Sequence, residues 1–213
     1  MMNFISKQIS ATCIEYIFGS KIDKKINDNV LKVYQLLPQL IDLKHEAITD
    51  MVPSYTSLAI HFTSASKLLY NKHHLDDFIQ KALKENATQK PIEYSIYVDY
   101  NGEDLLSVCK KLNLSKSEFI SLHTASYSIA MIGFREYFPY LLGLDKKLYI
   151  PRRNTPRTKV KKGSVAIAAG QTGLYPEDSP GGWHIIGHTD FDDFKSLKPS
   201  DRIIFKDKEN HAH

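Results

Sequence analysis

The chain has 213 residues, with 28 Lys and Arg against 24 Asp and Glu, for a formal charge of +4. Its composition, 42% hydrophobic, 24% charged and 11% aromatic, excludes a disordered tail, a collagen-like fibre and a disulfide scaffold. A charge of +4 establishes neither nucleic-acid nor membrane binding.

Residues 11–18 (ATCIEYIF) read as a strand closed by Gly19. Asp23 can cap the helix that follows, whose apolar positions Ile26, Val30, Val33, Leu37 and Leu40 step by three and four. Pro38 predicts a kink or an early end there. Residues 47–52 and 57–62 are two short strands around Pro53-Ser54. In the second, Leu58, Ile60 and Phe62 alternate with Ser57, Ala59 and His61. A second helix carries Leu75, Phe78, Ile79, Ala82 and Leu83 on one face. Residues 92–98 alternate again. The order β-α-β-β-α-β is the split βαβ pattern of a ferredoxin-like domain. The pattern pauses at 86–91, so the boundary is set between a ferredoxin-like α/β domain at 1–90 and a second domain at 91–213. Whether strand 92–98 closes the first or opens the second stays open at this level.

Two short helices follow, over 103–112 and 116–123, and Ser115 with Glu118 forms a capping box for the second. They resemble a helix-turn-helix. The second helix has one basic residue, Lys116, and residues 91–145 sum to −3, so no nucleic-acid partner is expected. Six of the ten glycines fall in 163–187 and five of the nine prolines in 139–180, which predicts a compact β-barrel or sandwich. Cys13 and Cys109 show neither CxxC nor zinc spacing and read as reduced core thiols of a cytoplasmic protein without a metal site. No stretch approaches the length of a membrane span, and the N-terminus lacks a charged segment followed by a long apolar run.

The chemistry concentrates late in the chain. Residues 146–162, KKLYIPRRNTPRTKVKK, hold eight basic side chains and no acid, and the rest of the chain sums to −4. The lysines read as a solvated loop. Arg152, Arg153 and Arg157 sit among Pro151, Thr155 and Pro156, which stiffen the backbone and suit bidentate capture of carboxylate or phosphate. Two glycine turns follow, Gly170-Gln171-Thr172-Gly173 and Ser179-Pro180-Gly181-Gly182-Trp183, which let backbone N–H groups approach a ligand. Candidate substrate- or anion-binding residues are therefore Arg152, Arg153, Thr172, Ser179, Gly181, Gly182 and Trp183. Trp183, the single Trp, reads equally as a core anchor. Candidate catalytic residues are His123, Arg157 and Gln171, with Asp99, Glu103 and Asp104 as further acids; His123 and the three acids each have a structural reading as well. There is no G-x-x-x-x-G-K-[ST] and no G-x-S-x-G, so no self-contained catalytic centre is readable from spacing.

Motifs in fixed order carry a resemblance: Ser121-Leu122-His123-Thr124, Met131-Ile132-Gly133-Phe134, Phe138-Pro139-Tyr140-Leu141, Pro151-Arg152-Arg153, Thr155-Pro156-Arg157, Gly163-Ser164-Val165, Gln171-Thr172-Gly173, Tyr175-Pro176 and Ser179-Pro180-Gly181-Gly182-Trp183, with Pro53-x-Tyr55-x-Ser57-Leu58 upstream. Over residues 10–206 the chain resembles the family of the bacterial 5-oxoprolinase B subunit, also known as allophanate hydrolase subunit 1 and as the sporulation kinase A inhibitor, with the same module in urea amidolyase. The resemblance implies an α+β protein with an N-terminal α/β domain and a C-terminal cyclophilin-like β-barrel. It implies partners, the 5-oxoprolinase A and C subunits, and the ATP-dependent opening of 5-oxoproline to glutamate, with ATP and Mg shared with the complex. Inhibition of a sensor histidine kinase and a urea-carboxylation role are the other activities it implies. Two stretches depart from the family pattern. Glu136-Tyr137 replaces Pro-Gly, and Asp99-Tyr100-Asn101-Gly102 replaces Cys-Tyr-Gly-Gly.

Overall fold

The computed structural model describes residues 4–85, 90–133 and 137–209. The chain divides between Lys90 and Pro91 into two compact units, each with its own hydrophobic core.

The first unit runs β1 (Ile5–Ser10), β2 (Cys13–Ile17), α1 (Lys24–Leu40), β3 (Ile48–Pro53), β4 (Ser57–Phe62) and α2 (Ala65–Lys84). Its antiparallel sheet has the order β1-β2-β4-β3. The Asp23 carboxylate accepts the Lys25 and Ile26 N–H groups and starts α1, which buries Val30, Val33 and Leu37. The helix runs past Pro38 to Leu40, because a proline this close to the end removes little of the hydrogen-bond ladder. The expected β-α-β-β-α-β order is completed differently: β1 takes the fourth place, and the strand at 92–98 lies in the other unit. β1 is almost wholly exposed, so no alternation marks it in the sequence.

The second unit contains β5 (Glu93–Val98), α3 (Leu105–Leu112), α4 (Lys116–His123), β6 (Ser126–Ile132), β7 (Pro139–Leu142), β8 (Arg157–Val160), β9 (Ser164–Ala168), β10 (Gln171–Leu174), β11 (Ser179–Gly181), β12 (His184–His188) and β13 (Arg202–Asp207). Seven strands form one sheet, in the order β12-β9-β10-β7-β6-β13-β5. Its ends nearly meet: Asp99 N–H donates to His188 O at 2.8 Å, and His188 N–H to Asp99 O at 2.9 Å. The result is a barrel-like sheet. β8 and β11 pair apart from it as a ribbon.

Alternate residues of the sheet serve two cores. Ile129, Leu141, Val165, Ile167 and Ile186 join the main core, to which α3 and α4 add Val108, Cys109 and Phe119. Ala166, Ala168 and Ile185 point to the other face, under Phe138, Tyr175 and Trp183. The helix pair thus belongs to the barrel core, and α4 begins with the capping box of Ser115 and Glu118. Cys13 and Cys109 are both buried and free. No helix among the described residues is long and apolar enough to cross a membrane.

Candidate anion-binding cleft

The smaller core opens into a cleft of about 320 Å³. Phe138, Tyr140, Tyr175 and Trp183 form its aromatic wall. Phe138 meets Tyr175 edge-on at 5.2 Å and Trp183 at 5.7 Å. Phe138 and Tyr140 are two positions apart and share a face of the β7 segment, which is why one short strand supplies both. Small residues make room for the wall. A Cβ on Gly173 would lie 2.9 Å from the Phe138 ring. The opposite rim is the 151–157 arm, with Arg152, Arg153 and Pro156, and the turn Ser179-Pro180-Gly181-Gly182. Arg153 N–H donates to Gly182 O at 2.9 Å and ties arm to turn.

The three arginines have different tasks. Arg157 meets both oxygens of Asp104, Nη2 to Oδ1 and Nη1 to Oδ2, each at 2.9 Å, and also bonds Glu103 at 3.0 Å. Arg153 Nη1 donates to Asp104 Oδ1 at 2.8 Å, and the Ile185 N–H donates to Oδ2 at 2.8 Å. Burial alone would push the Asp104 carboxyl up. The Arg157 hydrogen bond, the Ile185 N–H and the two arginine charges outweigh it and hold the pKa below the ordinary carboxylate value. Arg152 is exposed and has no ion-pair partner among the described residues. Its charge favours the ionised forms of Tyr140 and Tyr175, although burial still pushes both phenols up. Arg152 is thus the arginine with its fork available to a ligand.

Of the sequence-predicted residues, Arg152, Arg153, Ser179, Gly181, Gly182 and Trp183 line the cleft. Arg157 stands behind Arg153 on Asp104. Gln171 and Thr172 are buried in β10 and do not line it. His123 lies in the main core, with none of its surface exposed. The Tyr100 hydroxyl donates to His123 Nδ1 at 2.7 Å. Thr172 donates its hydroxyl to Ala166 O at 3.1 Å, and so accepts from His123 Nε2 at 3.0 Å. Phe119 and Phe205 stack on the ring. Burial lowers the His123 pKa to about 3, which keeps the ring neutral. His123 thus lies inside the main core and away from the cleft, held by Tyr100 and Thr172. Glu103 and Asp104 emerge as arginine partners, and the Asp99 backbone joins the barrel ends. Sequence reasoning did not assign Phe138, Tyr140 and Tyr175 to the site; the signal was the unbroken apolar run VAIAA, which implies a sheet covered on both faces.

A family model for the carboxyltransferase domain, subdomain C and D, matches residues 5–203. The chain belongs to that family. Three curated relatives carry the name of the 5-oxoprolinase B subunit. The Haemophilus influenzae protein is 48% identical over 95 residues, 44% of this chain and 45% of that protein. The Bacillus subtilis protein is 27% identical across 97% of this chain and 95% of its own length, and the Escherichia coli O157:H7 protein 30% identical across 82% and 84%. Among solved structures, TTHA0988 superposes with a TM-score of 0.76 at 29% identity, over 92% of this chain but 40% of that one. The Kluyveromyces lactis urea amidolyase, at 17% identity and a TM-score of 0.66, shares the fold over 97% of this chain and 15% of its own.

Against the family pattern, Tyr137 stands where a glycine is usual and adopts a φ of 62°. Tyr137 thus takes the left-handed conformation without being a glycine. Glu136, the other residue of that departure, lies outside the described residues, as do Phe134 and Arg135.

Proposed function

We propose that this chain is the B subunit of an ATP-dependent 5-oxoprolinase, which opens 5-oxo-L-proline to glutamate with ATP and water and works with the A and C subunits. The observation that carries the reading is a small aromatic cleft rimmed by one unpaired arginine, in a chain whose relatives bear that name. Its volume, about 320 Å³, is at the small end of ligand pockets. Arg152 would clamp the substrate carboxylate, and Tyr140 and Trp183 would pack on the flat lactam ring. Asp104 holds Arg153 at the rim, where its guanidinium would meet the charge that develops on the lactam oxygen. ATP, when bound, supplies the phosphoryl group that makes this oxygen a leaving group. The arginines at the rim fit such an anion. Among the described residues no group of three or more His, Cys, Asp or Glu is arranged for a metal ion.

In this reading residues 1–90 are a ferredoxin-like domain, 91–213 a cyclophilin-like barrel, and the complex is cytoplasmic. The test is reconstitution with the A and C subunits and measurement of ATP-dependent glutamate release. The rate is expected to require this chain; an unchanged rate on its omission contradicts the reading. A second reading, a carboxyltransferase part in urea carboxylation, draws on a 27% match over 105 residues to a putative urea carboxylase of Emericella nidulans. Biotin-dependent turnover with urea, and none with 5-oxoproline, would favour it.

A further inference from the structure

Tyr175 brings to the cleft a phenol that neither clamps the carboxylate nor packs on the lactam ring. It directly follows β10, and its backbone is fixed at both groups: its N–H donates to Ser164 O at 2.9 Å, and its O accepts from Gly163 N–H at 2.8 Å. The ring meets Phe138 edge-on, and the hydroxyl end reaches the 179–182 turn. A Cβ on Gly181 would collide with that hydroxyl, so a glycine there gives the phenol its place. Tyr175 is only 4% exposed. Its O–H meets no acceptor among the described residues, yet the oxygen is not one of the polar atoms sealed from solvent. The small area that it keeps opens on the cleft that the residue lines.

Burial pushes the phenol up, and the Arg152 charge and the Trp183 N–H, which favour its ionised form, do not reverse this. At neutral pH the group is therefore a donor with its proton in place. A largely desolvated donor asks for an acceptor on the ligand, and a ligand without one leaves it unpaired. The Arg152 charge is felt at the Tyr175 oxygen, so the arginine and the phenol face one small volume. In 5-oxo-L-proline the carboxylate and the lactam carbonyl stand on the two carbons beside the ring nitrogen. One arginine and one phenol match that pair of acceptors, and the carbonyl oxygen keeps a second lone pair for Arg153. We infer that Tyr175 is a specificity-determining residue: its O–H donates to the carbonyl oxygen of a cyclic carboxylate held by Arg152, and so selects a lactam over ring acids that lack the carbonyl. The inference rests on the 5-oxoprolinase reading of the cleft.

Trp183, the single Trp of the chain, lines the same cleft and reports binding by its fluorescence. The full chain is titrated with 5-oxo-L-proline and with cyclopentanecarboxylate, which has the same ring size and charge but no lactam. The parent is expected to bind 5-oxo-L-proline at least about tenfold more tightly, the effect of one buried hydrogen bond. Tyr175→Phe is expected to lose about tenfold for 5-oxo-L-proline and to stay within about twofold for cyclopentanecarboxylate, with a melting curve confirming that it folds. A role in packing alone would weaken both ligands alike. Equal affinity of the parent for the two ligands, which needs no variant to measure, overturns the inference; so does an equal loss, or no loss, for both in folded Tyr175→Phe. Either result leaves the 5-oxoprolinase reading standing. If neither ligand changes the fluorescence of the parent, the inference falls together with that reading of the cleft. A selective loss in Tyr175→Phe supports the inference even where the reconstitution assay fails.

Discussion

Asp104 shows how one side chain organises a site that it does not enter. Its two oxygens collect two arginines and a strand N–H, and its own side chain is only 7% exposed. Removing such a partner strands charge that was buried in expectation of it. Asp104→Asn is expected to cost about 2–4 kcal/mol, at the low end because both arginines retain some contact with water. Chemical denaturation measures it, and a loss under about 0.5 kcal/mol, the range of a neutral surface change, would contradict the assignment. The arginine cluster was visible in the sequence as a run of basic residues between prolines. The division of labour within it was not, because Asp104 lies 49 positions from Arg153 and only the fold joins them.

At the scale of elements, local signals were readable where local physics decides. The Asp23 cap, the Ser115–Glu118 box and the alternation of β4 all depend on neighbours in sequence. β1 was hidden because it pairs on a hairpin with little burial. The assignment of β5 was hidden because its partner is β13, more than 100 positions away in the parallel register Ile96 to Phe205. The Asp99-Tyr100-Asn101-Gly102 stretch shows what the family motif preserves. Tyr100 holds His123, and Gly102 passes so close to β12 that a Cβ would lie 2.5 Å from the Gly187 nitrogen. Two residues kept from the motif therefore serve barrel closure and the core rather than the cleft.

At the scale of the molecule, the buried histidine sets a pH dependence. His123 has a folded pKa of about 3 against an ordinary value of 6.5. Between these values the unfolded chain binds a proton that the folded chain excludes. Stability from this group is thus fully present above pH 6.5 and falls as pH drops toward 3, by up to about 1.4 kcal/mol per unit. His123→Gln removes the titrating group and can retain one donor and one acceptor. Its melting temperature is expected to fall less steeply between pH 6.5 and 4 than that of the parent, whatever its starting value. An identical slope in the two proteins would place the acid sensitivity elsewhere.

The charge of the whole chain, +4, is the sum of segments at +2, −3, +8 and −3 for residues 1–90, 91–145, 146–162 and 163–213. The excess resides in one arm, and in that arm most of the arginine charge is already paired. What remains available at the cleft is Arg152. The most direct test is ATP-dependent glutamate release by the reconstituted complex with Arg152→Ala. The account predicts a KM for 5-oxoproline raised at least about tenfold, the loss of a charge-assisted clamp, with an unchanged melting temperature. An Arg152→Ala complex with the parent's KM and rate would contradict it.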